Sequence, residues 1–255
     1  MMSFVGSGAP MTQGGIDATA QAISVGPPEV WSVIAVETSG CGYLIDRRPK
    51  ILFERHIFSR LTNGRFDSDD PDVSQPSPGG YGPSGAHQYE RLESAMLLDE
   101  EAALKSASWG LGQIMGENFK NAGFGSARDL VTAMIESEDK QLQAMATFIT
   151  SSGMAQSLRD HNWAGFARRY NGPNFAANNY DGKLLHFFQL YSQGAMPDLQ
   201  IRAAQVYLTY RGFAPGGIDG IAGPRTTGAV KAFQAGIGLP QTGAIDAALL
   251  SALSS

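Results

Sequence analysis

The stretch PPEVWSVIAVETSG, residues 27–40, constrains this chain most. Proline is tolerated in the first turn of a helix, where its missing N–H would have had no intrahelical partner. Behind Pro27 and Pro28, the residues Val30, Val33, Ile34 and Glu37 fall at offsets 0, 3, 4 and 7, one face of a helix. Gly40 stands where a helix of that length would end. The face is apolar except for its last member. A carboxylate there is either a solvated helix-end charge or a carboxyl group held where ionisation is costly. Read by itself, Glu37 is the former, because a glutamate near a helix end is usually in water.

The helical period recurs through the first 190 residues. It predicts helices over 16–25, 88–107, 126–137, 138–150, 163–170 and 180–192. KILFERHIF, residues 50–58, is short, apolar and partly alternating, and fits a strand or a helical turn. FDSDDPDVSQPSPGGYGPSG, residues 66–85, is a loop by composition. A loop of this length inside a folded domain is often functional, and it is expected near or over a cleft. The texture changes near 193–198. DLQIRAAQVYLTYRGF is amphipathic, with Leu199, Ala203, Val206 and Leu208 or Tyr207 expected inward. GIDGIAGPRT is a turn into TTGAVKAFQAGIGL, and PQTGAIDAALLSALSS repeats its theme of turn glycine, apolar residue, acid and short helix. A segment this small can close a core with three short helices.

Bulk properties exclude several classes. The formal net charge of −5 argues against a broad basic nucleic-acid footprint. No run approaches the roughly 18 apolar residues that span a membrane. MMSFVGSGAPMTQGG lacks the basic and apolar regions of a secretory signal. One cysteine, Cys41, excludes an intramolecular disulfide and a multi-cysteine zinc site. The histidines His56, His87, His161 and His186 form no HExxH and no local zinc-ligand pair, so no metal and no cofactor is expected.

Three motifs follow one another in order: Glu37-Thr38-Ser39 at a helix end, Ser108-Trp109-Gly110-Leu111-Gly112-Gln113-Ile114-Met115, and Ala167-Arg168-Arg169-Tyr170-Asn171-Gly172. In that order they resemble the lysozyme-like superfamily shared by goose-type lysozymes and soluble lytic transglycosylases. RRPKILFERHIF followed by SASWGLGQIMG is more specifically similar to the N-acetylmuramidase family of phage endolysins. The resemblance covers roughly 15–190. It departs from the superfamily at Thr38, where Ser is usual, at Gly112, where Met or Phe is usual, and at the two arginines before Tyr170-Asn171.

The resemblance implies a mostly α chain, with a lysozyme-like α+β catalytic domain over 12–192. It implies Glu37 as the general acid, and the chemistry agrees. A glycosidic oxygen leaves poorly unless it is protonated as the bond breaks, and a desolvated carboxyl can supply that proton near neutral pH. Glu54, in Phe53-Glu54-Arg55-His56, is the first candidate for a second carboxylate, with a structural ion pair as its alternative. Asp46, Glu101 and Glu117 are weaker candidates, and Asp67, Asp69, Asp70 and Asp72 read as solvated turn formers. Ser108, Gln113, Tyr170 and Asn171 are expected to hold sugar hydroxyl and acetamido groups. Trp109 reads as core rather than as a sugar platform.

The C-terminal segment carries Gly217-Ile218-Asp219-Gly220, Gly223-Pro224-Arg225-Thr226 and Ala229-Val230-Lys231-Ala232-Phe233-Gln234. These resemble the three-helix peptidoglycan-binding domain and imply such a module over 198–255, tethering the enzyme to its polymer. The expected whole is a monomeric endolysin that cleaves the β-1,4 bond between N-acetylmuramic acid and N-acetylglucosamine. Peptidoglycan is its partner, with no nucleic acid and no membrane insertion. It is expected to stay in the host cytoplasm until release and then act on the wall. A lytic transglycosylase and a non-catalytic wall-binding protein are the alternatives.

Overall fold

The computed structural model describes residues 2–38, 40–194 and 196–255; Ser39 of the first motif lies outside them. Helix α1 (Gln13–Ile23) begins where the Thr12 hydroxyl accepts from Gly15 N. Helix α2 (Pro27–Thr38) runs from the double proline to the motif glutamate. It buries Val30, Val33 and Ile34 as the period requires, and Trp31 and Ser32 as well. It is covered on more than one side because it packs against both α1 and α10 (Tyr180–Ser192). Gly40 then turns the chain away at φ 101°, a left-handed conformation that favours glycine.

KILFERHIF satisfies both of its readings in succession. Strand β1 (Ile51–Phe53) is followed at once by helix α3 (Arg55–Leu61). The helix expected over 88–107 divides into α4 (His87–Leu98) and α5 (Glu100–Lys105). Asp99 causes the break: its backbone is extended at φ −158°, and its side chain caps α5 by accepting from Ala102 N. The chain after α5 forms strand β2 (Ala107–Trp109), and the Gly-Leu-Gly-Gln turn joins it to β3 (Ile114–Met115). The three strands are antiparallel in the order β1-β2-β3, with Ile51 opposite Trp109 and Trp109 opposite Ile114.

Helices α6 (Ala127–Glu136) and α7 (Glu138–Ser151) follow, separated only by Ser137, which caps α7. A short helix α8 (Ala155–Arg159) that the period did not predict precedes α9 (Trp163–Tyr170). Two apolar cores result. One joins α1, α2, α7, α9 and α10 around Ile16, Ile34, Leu142 and Phe166. The other joins the sheet to α4, α5 and α6 around Phe53, Leu92, Trp109 and Leu130. Phe148 and Tyr170 pack against both, so the two lobes meet at those rings. Phe4 belongs to the sheet lobe, against Tyr89 and Trp109. The chain therefore has a mostly helical domain with a small antiparallel sheet ahead of a separate three-helix module.

That module consists of α11 (Leu199–Tyr210), α12 (Pro224–Gly236) and α13 (Ala247–Ser254). Its core is Ala204, Leu208, Val230, Phe233, Leu249 and Leu253. The inward stripe of α11 includes Val206 and Leu208 as expected but differs otherwise: Ala204 replaces Ala203, and Arg202 and Gln205 are buried too. This helix is covered on two faces, one by its own module and one by the first domain, where Val206 packs with Cys41 and Tyr43. No helix among the described residues is long and apolar enough to cross a membrane.

The 66–85 loop is held at its far end by Gln88, which is 1% exposed. Its Oε1 accepts from Phe53 N at 2.9 Å, and its Nε2 donates to the carbonyls of Tyr81 and Pro83 at 2.7 and 2.8 Å. Replacing it leaves a buried strand amide without an acceptor, at a cost of about 1–3 kcal/mol. Gln88→Ala is expected to lose stability in that range in urea titration. It is also expected to be cut faster by protease between residues 76 and 86.

Candidate active site

Glu37 sits in the last turn of α2, above the buried side chains of Val30, Val33 and Ile34. Burial is the largest influence on its carboxyl and pushes the pKa up to about 7; the hydrogen bond that Asn171 Nδ2 donates to Oε1 at 2.8 Å pulls it back only in part. The helix adds to the upward push. Its C-terminal end is the negative end of the helix dipole and disfavours a further negative charge, and the helix has no basic side chain of its own in that turn. The result is a carboxyl group that carries its proton near neutral pH, where an ordinary glutamate has lost it.

A cleft of about 350 Å³ opens beside this group, lined by Glu37, Thr38, Leu44, Lys50, Ile51, Ser84, Gly85 and Gln113. Its two walls come from the two lobes. Glu37 and Thr38 end α2, while Lys50 and Ile51 enter β1 and Gln113 lies in the β2–β3 turn. Ser84 and Gly85 come from the end of the long loop, which the sequence placed near a cleft.

The side chains expected at the site divide into two groups. Gln113 and Glu37 face the cleft, and Asn171 reaches Glu37 directly. Ser108 and Tyr170 are used internally instead. Ser108 Oγ donates to Gln113 Oε1 at 2.9 Å, and Gln113 Nε2 donates to Gly110 O at 2.8 Å. These bonds hold Gln113 in its left-handed backbone at φ 47°. Tyr170 OH donates to Gly112 O at 2.7 Å, while its ring stacks on Phe166. A side chain at Gly112 would come within 3.1 Å of that hydroxyl, which gives the unusual glycine a steric reason. Trp109 is fully buried and donates its indole N–H to Leu104 O, as a core residue.

Glu54 does not line the cleft. It stands just ahead of α3, with Oε2 3.1 Å from His56 Nδ1. Burial raises its pKa, opposed by His56, the Tyr81 hydroxyl and Arg91. In the ion-pair alternative its neighbour is His56 rather than Arg55, an ion pair only where that ring is protonated. Of the weaker candidates, Asp46 pairs with Arg48, Glu101 with Lys105 and Glu117 with Arg60. Asp67 is not a bare turn former: it accepts from the hydroxyls of Ser59 and Ser74 and braces the loop.

Lys50 was not singled out by sequence, and it is the cation of the cleft. Its Nζ donates to Thr38 O at 3.0 Å, tying the end of α2 to the strand wall. The RRPK stretch carried it, but a lysine before a strand gives no periodic signal.

Residues 26–192 match the family model for N-acetylmuramidase, and residues 198–253 match that for a peptidoglycan-binding domain. Among solved structures, the chain is similar to the Burkholderia AP3 phage endolysin, at 38% identity over 72% of each chain with a TM-score of 0.67. No curated protein matches the chain.

The raised carboxyl has a thermodynamic consequence. Glu37 titrates near 7 in the folded chain against 4.5 as an ordinary side chain. Between those values the folded protein keeps a proton that the unfolded chain has released, so stability falls as pH rises through this window and is level above it. The full difference is on the order of 3 kcal/mol. Glu37→Gln lacks this titration. Its melting temperature is expected to gain on that of the wild type between about pH 5 and pH 8 by calorimetry.

Proposed function

Because the chain belongs to the N-acetylmuramidase family, and so is a peptidoglycan hydrolase, we propose that it is an endolysin cleaving the β-1,4 bond between N-acetylmuramic acid and N-acetylglucosamine. Glu37 is its general acid. The observation that carries this reading is the carboxyl pushed up to about 7 on the wall of an open cleft. Its proton passes to the glycosidic oxygen as the bond from that oxygen to the anomeric carbon breaks, and the alcohol leaves neutral. Water then adds to the anomeric carbon and returns a proton to the Glu37 carboxylate. Gln113 and Asn171 are the polar groups that contact the sugars. Ser108 and Tyr170 support them from behind, through Gln113 and Gly112.

The division of labour is a catalytic domain over 12–192 and a wall-binding module over 198–255, acting as a monomer without cofactor. The neighbouring structure is that of a phage endolysin, and the same setting is proposed here: production inside a host and action on its wall. Binding to an insoluble polymer keeps the cleft at high local substrate concentration.

One observation favours a second reading. Glu37 is the only carboxylate among the described residues that line the cleft. A lytic transglycosylase needs one: the 6-hydroxyl of the muramic acid attacks the anomeric carbon in place of water and leaves a 1,6-anhydro end. Mass spectrometry of digested sacculi separates the two. Reducing N-acetylmuramic ends are expected, and anhydro ends would transfer the assignment to the transglycosylase.

Glu37→Gln is expected to lower sacculus lysis by about 10³-fold or more, the loss appropriate to an essential proton donor, with binding to sacculi unchanged. Full lysis by this variant would remove Glu37 from the mechanism. Glu54→Gln is expected to keep lysis within about tenfold of wild type, since its carboxyl lies outside the cleft. A loss as large as that of Glu37→Gln would restore it as the second carboxylate.

A further inference from the structure

The chain leaving the catalytic helix is held by the module that follows 160 residues later. Arg202, on α11, is 1% exposed and lies inside the first domain's surface. Its Nη1 and Nη2 reach the two oxygens of Glu138 at 2.6 and 2.8 Å, a bidentate pair with a fully buried carboxylate. Nη2 also donates to Gly40 O, three residues after Glu37. Gly42 N, in the same turn, donates to Glu138 Oε1 at 2.9 Å. The backbone of Gly40 meets the module a second time: a Cβ built there would stand 2.1 Å from Ile218 O of the GIDG turn. On the inner side, Lys50 Nζ holds Thr38 O. The end of α2 is thus clamped from both sides, by the catalytic lobe through Lys50 and by the module through Arg202.

We propose that Arg202 is a positioning residue for Glu37, so that the wall-binding module completes the catalytic site as well as tethering it. The proposal rests on the reading of Glu37 as the acid. Elevation of the Glu37 carboxyl depends on water being kept from the last turn of α2. Among the described residues the helix ends at Thr38, and Gly40, which turns the chain away, carries no side chain to cover that end. The groups facing Glu37 are Asn171, the phenols of Tyr170 and Tyr180, and Lys50 across the cleft. None of them bonds to Gly40 O, which is held by Arg202.

Arg202→Lys tests this in the full chain. A lysine keeps a positive charge against Glu138, but its single ammonium cannot hold the carboxylate bidentately and reach Gly40 O as the planar guanidinium does. Circular dichroism checks that the variant folds, and sacculus pull-down checks that the module still binds. On soluble glycan oligomers, kcat is expected to fall about tenfold with KM within about twofold, and the basic limb of the pH–rate profile is expected to move to lower pH by about one unit. A folded Arg202→Lys with wild-type kcat and profile would overturn the proposal. So would a loss of rate matching the loss of folded protein with the profile unmoved, because that is the behaviour of a merely structural residue. If Arg202→Lys does not fold, the double variant Arg202→Met/Glu138→Gln removes both charges together and keeps an acceptor for Gly42 N. The same fall and the same displacement are expected of it, and a wild-type profile in the folded double variant would equally overturn the proposal. Glu37→Gln read in the same assay keeps the two claims apart: its retained activity refutes the acid, whereas an unmoved profile in the Arg202 variants refutes only the clamp.

Discussion

The Glu138 carboxylate holds four distant parts of the chain at one point. It is fully buried at the first turn of α7. Met11 N and Gly42 N donate to it, and Arg202 meets both of its oxygens. A charge so enclosed costs several kcal/mol to desolvate, and only a full set of donors makes it tolerable. Here the set is complete, and the α7 N-terminus adds its positive end. Arg202 holds the carboxyl below its usual range against the upward push of burial. The N-terminal segment, the turn after α2, the long helix α7 and the C-terminal module therefore form one electrostatic unit.

Two buried carboxyl groups in one domain meet opposite fates. Glu138 has cationic and amide donors on both oxygens and stays ionised. Glu37 has one amide donor, an apolar stripe behind it and a helix C-terminus beneath it, so it holds its proton. Residue type is the same and Glu138 is the more enclosed of the two, so the number and charge of donors, not burial alone, decides which carboxyl stays ionised and which keeps its proton.

Much of the architecture was legible in the chain because helices advertise their buried faces through short-range periodicity. Helix α2, with its proline start and glycine end, is a clear instance, and α9 and α10 fall where the pattern put them. The break at Asp99 was hidden, since its acidic surroundings continue a helical period while the residue itself caps the next helix. The stripe on α11 was misread for a related reason. A single-face pattern assumes one partner, and α11 has two.

At the site, the sequence by itself determined which residues are present and in what order: a carboxyl at the end of an apolar helix, a glycine-rich turn ending in Gln113, and Asn171 directly after Tyr170. It also determined that a second, smaller core follows. Only the tertiary structure decided what each polar group faces. Ser108 and Tyr170 are consumed by Gln113 and Gly112, Glu54 sits beside His56 outside the cleft, and Lys50 and Arg202 hold the two sides of the turn after α2. Periodicity records whether a residue is buried, because burial follows from the helix it belongs to. The partner of a buried polar group comes from tens to hundreds of residues away, and only folding brings it within hydrogen-bond distance.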